Sequence, residues 1–255
     1  NYYYKNTFGS DKSESNDTDA NEQTKNAIML LSMFHVSNPS RIYKNWLYAV
    51  LRWLFKNKDN ITFDSYVDFL KELCDKFYFG NNCQGKDITA IILEKVKFEL
   101  NSGDKKDWDD GVNVPNFVFN RLDYQLWKLP GEKVKDFLKN DGWLTENTKD
   151  AIWKKFRFTF RSSVEHHYPQ HPIDGHTIKE IDMFGNLYLL SQSKNSRLSN
   201  LTPVAKRDII KTWKNCDSLK QVIMMSHDKW GEDEIKVHGE KMLTILNQPL
   251  SKTDS

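Results

Sequence analysis

Apolar residues recur every three or four positions through most of the first 130 residues, which is the period of a helix that packs on one face. Five segments are either apolar throughout or show this pattern, and we predict a helix in each: Lys25–Val36, Pro39–Lys56, Phe63–Phe79, Asp87–Leu100 and Pro115–Leu129. Residues 7–25 contain almost nothing apolar, which predicts a mobile linker or a long loop. We therefore assign residues 1–25 to a polar linker or to the end of a preceding domain. The pattern therefore predicts a helical domain over residues 26–150.

Beyond Trp153 the spacing of apolar residues changes to that of a strand. Phe156, Phe158 and Phe160 alternate with polar residues, and this alternation predicts a strand whose phenylalanines face the core, while Arg157 and Arg161 face away toward phosphate or solvent.

Two more strand segments are predicted at residues 164–169 and Asn186–Leu190. Helices are predicted from about Asn195 or Pro203 to Trp213, and again over Trp230–Leu246. We therefore predict an α+β chain, in which the helical part is followed by a strand-containing domain over residues 151–250.

Charge is unevenly distributed along a chain whose net charge is only +2. Residues 151–220 hold 12 Lys and Arg against 6 Asp and Glu, whereas residues 1–150 hold 21 against 23. A basic segment on a near-neutral chain is typical of a local phosphate-binding surface, although most such runs are merely solvated.

Cysteine content and hydropathy bear on the compartment. The three cysteines form no CxxC pair and cannot all be paired with one another, which favours a reducing cytosol over a disulfide framework or a thiolate zinc site. No apolar run is long enough to span a membrane, and no signal peptide is visible. The chain begins with Asn1 rather than Met, so we expect it to be part of a longer protein. A cytoplasmic location is predicted.

Polar residues of the predicted strand-containing domain follow a defined order. An acidic residue and two histidines precede a proline, a Gly-Asn-Leu segment follows, and a second asparagine and basic residues come next. These are Glu165, His166, His167 and Pro169, then Gly185, Asn186 and Leu187, then Lys194, Asn195, Arg197, Lys206 and Arg207. The arrangement resembles the HNH (ββα-metal) nuclease signature, in the version found in the C-terminal domains of GmrSD-like restriction enzymes.

The resemblance implies a role for each residue of the motif. His166 is the implied general base, because it lies three residues before Pro169, and a histidine pKa suits proton transfer near neutral pH. Asn186 is implied to orient the loop that carries this histidine. Glu165 and Asn195 are the implied ligands of one divalent metal ion, most simply Mg²⁺ or else Mn²⁺, which prefers oxygen ligands.

Four basic residues are candidates for phosphate contacts with DNA, namely Lys194, Arg197, Lys206 and Arg207. The resemblance further implies restriction of foreign or modified DNA, with a ParB-like domain preceding this part of the polypeptide. A homo-oligomer is compatible with the sequence.

Other interpretations stay open at this point. A metal-binding His166 with His167 as the base is conceivable, but the position of Pro169 assigns the base to His166 and leaves His167 as a packing residue. Asn195 or Asn200 could simply cap a helix. The domain could also be a nucleic-acid-binding module without activity, or a ribonuclease that uses the same chemistry.

Overall fold

The computed structural model describes residues 17–37, 44–80, 107–138, 146–173, 175–212 and 215–251. The chain divides into two compact units, residues 1–101 with 249–255 and residues 102–248. In the described residues it is mostly helical, with one two-stranded sheet, which agrees with the predicted α+β class. None of the described helices is both long and apolar enough to cross a membrane.

The first unit contains three described helices: α1 (Asp17–Ser37), α2 (Asn45–Lys56) and α3 (Phe63–Phe79). Their aromatic side chains pack together, and the ring centroid of Phe34 lies 5.5 Å from those of both Trp46 and Phe77. The predicted linker over residues 7–25 is wrong in part because α1 already begins at Asp17. The helix predicted over Asp87–Leu100 lies outside the described residues. Residues 38–43 do too, and they include the start of the helix predicted over Pro39–Lys56.

The second unit begins with three described helices, α4 (Asn116–Lys128), α5 (Gly131–Phe137) and α6 (Glu146–Lys155). A sheet follows, in which β1 (Ser163–His166) pairs antiparallel with β2 (Leu187–Leu190). The remaining helices are α7 (Gln192–Leu198), α8 (Pro203–Lys211), α9 (Leu219–Met225) and α10 (Glu232–Leu246). Most residues of α4 are buried, and all four residues of β2 are buried.

The phenylalanine alternation does not form the predicted strand. Phe156 and Phe158 are buried in irregular backbone that precedes β1, whereas Phe160 is 58% exposed. A strand needs a hydrogen-bonding partner as well as a period of two, and the sheet of the described residues contains only β1 and β2. The prediction that the first two phenylalanines are core residues is confirmed.

Arg161 was predicted to face phosphate or solvent, and this is wrong. Its side chain is fully buried and forms an ion pair with Asp123 at 2.8 Å. The guanidinium also donates to Asn120 and to the backbone oxygen of Asp217, and it lies 5.5 Å from the ring centroid of Phe158. Arg161 therefore joins α4 to the segments around the sheet.

A close backbone approach brings α10 against the turn that leads into β2. This turn is a short 3-10 helix over Phe184–Asn186. A Cβ atom placed on Gly185 would lie 2.0 Å from the backbone oxygen of Ile235 and 2.9 Å from the backbone nitrogen of Gly239. The glycine of the Gly-Asn-Leu segment thus leaves space for a helix.

Candidate active site

Three of the predicted site residues line one pocket at the end of β1. The pocket has a volume of about 260 Å³ and is lined by Glu165, His166, Pro169, Gln170, Asn195, Ser196, Ser199 and Asn200. Glu165 and His166 are the last two residues of β1, while Asn195 belongs to α7. The antiparallel pairing of β1 with β2, followed directly by α7, brings these distant sequence segments to one place.

Glu165 forms an ion pair within the protein. The Nζ atom of Lys206 lies 2.6 Å from Oε1 of Glu165 and also donates to the backbone oxygen of His166. Burial raises the pKa of the Glu165 carboxyl, and the Lys206 ammonium opposes this rise. Burial likewise lowers the pKa of Lys206, and the carboxylate opposes that change. Each charge thus opposes the effect of burial on the pKa of the other, across a hydrogen bond of 2.6 Å.

Lys206 was predicted to contact phosphate, and the structure corrects this. Its side chain is completely buried, so its ammonium is not presented to a ligand at the surface. Fewer basic side chains of residues 151–220 lie at the surface than the sequence suggests, because Arg161 and Lys220 are buried as well.

His166 contacts a residue that the sequence did not single out. Its Nε2 atom lies 2.8 Å from Oδ1 of Asp182, whose side chain is 54% exposed. Gln170 Nε2 lies 3.4 Å from the same oxygen. Asp182 lies in a polar stretch with Asp174 and Glu180, and no pattern there distinguishes one carboxylate from the others.

His167 is buried and lies outside the pocket. Its ring centroid is 5.0 Å from that of Trp230 and 6.0 Å from that of Tyr188. Burial lowers the pKa of His167 well below its ordinary value, and Lys206 adds to this effect. Of the two adjacent histidines, only His166 lines the pocket.

The Asn186 side chain forms hydrogen bonds with both backbone groups of Tyr168, in the segment that follows His166. Its Oδ1 atom accepts from the backbone nitrogen of Tyr168 at 2.8 Å and from Trp230 Nε1 at 3.1 Å. Its Nδ2 atom donates to the backbone oxygens of Tyr168 and Ile181 at 3.0 and 2.9 Å. The side chain is fully buried, so all four hydrogen bonds are protected from water.

Asn195 lies inside α7 rather than at its start. The N-cap of this helix is Ser191, and the N-cap of α8 is Thr202, so neither Asn195 nor Asn200 caps a helix. Asn195 Nδ2 donates to Ser163 Oγ in β1. This contact uses the amide nitrogen and leaves the amide oxygen as the acceptor beside the pocket.

The other candidate DNA-binding residues differ in their exposure and in their contacts within the protein. Lys194 Nζ donates to Asp217 and to the backbone oxygen of Asn215. Arg207 donates to Asp228 at 3.1 Å with its side chain 16% exposed, whereas Arg197 is exposed. Of these three residues, Arg197 is the most exposed.

The carboxylate of Asp217 binds both Lys194 and Ser191, the residue at the start of α7. Oδ2 of Asp217 accepts from the backbone nitrogen of Ser191 at 3.0 Å and from its hydroxyl at 2.8 Å. Burial raises the pKa of Asp217, but hydrogen bonds from Lys194 and Ser191 and the charge of Lys194 outweigh it, so that the pKa lies below its ordinary value. Lys194 and Asp217 together anchor the helix that carries Asn195.

Residues 93–245 match the family described as GmrSD restriction endonucleases, C-terminal domain. The chain belongs to this family. The match spans more than half of the 255 residues and indicates a nuclease domain of the restriction-endonuclease type. No curated protein and no solved structure matched the chain. The pocket of this GmrSD C-terminal domain lies within the matched residues.

Proposed function

We propose that this chain is a metal-dependent DNA endonuclease that hydrolyses phosphodiester bonds by a one-metal HNH mechanism. One observation carries the proposal: Glu165, His166 and Asn195 line the same pocket. Membership of a restriction-endonuclease family supports the same chemistry. In this proposal, β1, β2 and α7 are the two strands and the helix of the ββα-metal core.

The donor atoms beside the pocket suit a hard divalent cation. Glu165 provides a carboxylate, and the hydrogen bond from Asn195 to Ser163 leaves an amide oxygen. Mg²⁺ commonly takes one or two protein oxygens and fills its other positions with water and substrate phosphate. Among the described residues no group of three or more His, Cys, Asp or Glu could hold a metal, so water and DNA would complete the coordination. Glu165 and Asn195 are the proposed ligands.

His166 is the proposed general base. It would take a proton from the attacking water, a role usually worth about 10²–10⁴ in rate. A bound Mg²⁺ would supply charge stabilisation at the phosphate oxygens. Asn186 would orient His166 indirectly, because its amide fixes the backbone of Tyr168, two residues further along the chain.

Lys206 has a different proposed role from the one the sequence indicated. It would hold Glu165 in place, since its ammonium bonds both to that carboxylate and to the backbone of His166. Arg197 is the proposed phosphate contact at the surface. Lys194 would act through its anchoring of α7.

In the cell we propose restriction of foreign or modified DNA, together with a ParB-like domain of the same polypeptide. The restriction role is supported by the family, whose description refers to restriction endonucleases. A cytoplasmic location accords with such a role.

The test is nicking of supercoiled plasmid by the chain in Mg²⁺ or Mn²⁺. We expect the His166→Ala variant to cleave at least about 100-fold more slowly, and EDTA to stop cleavage. His176→Ala is the matched control, because this histidine is exposed and lies outside the pocket. Equal cleavage by wild type and His166→Ala would remove His166 from the mechanism. Cleavage of RNA alone would identify a ribonuclease, and salt-dependent DNA binding without cleavage would identify a binding module.

A further inference from the structure

We propose that Asp182 is a positioning residue for His166, and that its carboxylate selects the histidine tautomer in which Nδ1 is free to accept a proton. This inference rests on the proposed function, in which His166 is the general base. The observation behind it is the 2.8 Å contact between His166 Nε2 and Asp182 Oδ1.

The chemistry of the two groups determines the direction of the hydrogen bond. An ionised carboxylate can only accept, so the Nε2 atom of His166 must carry the hydrogen. In the neutral ring the lone pair then lies on Nδ1, the nitrogen that can take a proton from water. A carboxylate at this position would also stabilise the imidazolium that forms when the proton arrives. Asp182 would therefore act through His166 without touching the substrate.

Gly111 contacts Asp182 closely. The backbone nitrogen of Gly111 donates to the backbone oxygen of Asp182 at 3.2 Å. Gly111 has a φ of +53°, and a Cβ placed on it would lie 2.7 Å from Asp182 Oδ1 and 3.0 Å from its Cγ. The side chain of any other residue would therefore push the carboxylate away from the position where it contacts His166.

A second contact fixes the same turn. Oδ1 of Asp109 accepts from the backbone nitrogen of Phe184 at 2.7 Å. Residues 109–111 are thus hydrogen-bonded to Asp182 and Phe184, the two neighbours of Met183. These contacts explain how a carboxylate that is 54% exposed keeps a defined position.

The first test is the isosteric variant Asp182→Asn, assayed with a short DNA duplex for kcat and KM separately. The amide can donate to Nε2 and so stabilise the other tautomer. We expect kcat to fall about 10- to 100-fold, as for other residues that orient a reacting group, with KM almost unchanged. A merely structural role of Asp182 would be preserved by asparagine, because the side chain keeps its shape and is more than half exposed. Wild-type kcat in this variant would overturn the proposal.

A double variant shows whether Asp182 acts through His166. Asp182→Asn should cause no further loss of kcat in the His166→Ala background, because the group that it positions is absent. A loss of the same factor in both backgrounds would overturn the proposal. Failure of the proposed function itself has a different signature, since wild type and His166→Ala would then cleave equally.

A third variant moves the carboxylate without altering it. Gly111→Ala should lower kcat because the added methyl displaces Asp182. The matched control is Gly175→Ala, since Gly175 also has a positive φ, +76°, but an added Cβ would meet nothing within 4 Å. Equal kcat for these two glycine variants, with thermal melting showing both folded, would overturn the part of the proposal that concerns Gly111.

Discussion

The ammonium nitrogen of Lys206 lies 2.6 Å from Oε1 of Glu165, and it is the fully buried member of this ion pair. The lysine reaches the end of β1 from α8, across 41 positions of sequence. Its positive charge therefore compensates the negative charge of the carboxylate that we propose as a metal ligand.

Replacement of Lys206 by methionine should destabilise the fold. The variant leaves Glu165 without its partner in a site where the carboxylate is only 13% exposed, and removing one member of a buried pair costs about 3–5 kcal/mol. Urea unfolding measures this loss. Lys211→Met, on the exposed side of the same helix, should change the stability by less than about 0.5 kcal/mol. Equal stability of the two variants would contradict the importance of the pair.

Gly185→Ala should destabilise the protein without touching the pocket. The added Cβ would lie 2.0 Å from the backbone oxygen of Ile235, and a helix backbone cannot yield as a flexible side chain would. We expect a loss of about 1–3 kcal/mol or more. Thermal and urea unfolding measure it, and Gly131→Ala is the control because an added Cβ there meets nothing within 4 Å. If both alanine variants unfold at the same urea concentration, the close approach of α10 is not required.

Stability should decrease as the pH falls below about 6.5, in part because of His238. Burial lowers the pKa of this histidine well below its ordinary value, and Lys220 adds to the effect. In the unfolded chain the ring takes up a proton near pH 6.5, while the folded protein does not. Unfolding then binds a proton, so stability falls by up to about 1.4 kcal/mol per pH unit for this group.

Urea unfolding between pH 7.5 and 5 measures the slope for wild type and for His238→Gln. The variant should lose part of the pH dependence, whereas His176→Gln should keep all of it because His176 is exposed. An identical slope in wild type and His238→Gln would show that His238 does not contribute.

Arg197→Ala should weaken DNA binding and reduce its dependence on salt. Arg197 is exposed on α7, the helix that lines the pocket. Loss of one phosphate contact lowers the slope of log Kd against log salt by about 1. Fluorescence anisotropy in the absence of metal measures this slope. Lys133→Ala, on the exposed side of α5, should leave the slope at its wild-type value, and an unchanged slope for Arg197→Ala would exclude the contact.

The order of the motif could be recognised from sequence, but the contacts between its members could not. Glu165, His166 and Asn195 share one pocket, and their sequence order had singled them out. Lys206 was also singled out, but its charge suggested a surface contact. Its actual partner, Glu165, depends on where α8 packs. Asp182 gave no signal at all, because only the folding of its turn against Gly111 and β1 brings it to His166.

The sequence alone determined the features that depend on near neighbours. Helices α3, α4 and α10 agree with the predicted segments Phe63–Phe79, Pro115–Leu129 and Trp230–Leu246 to within two residues at each end, because helical hydrogen bonds and a helical apolar face are local properties. Tertiary structure decided the rest. Within the described part of the chain, the segment with the alternating phenylalanines has no strand to pair with. Arg161 is buried because Asp123, 38 positions away in sequence, lies 2.8 Å away in space. A charged side chain can be solvated or paired, and the choice depends on which distant group the fold brings within reach.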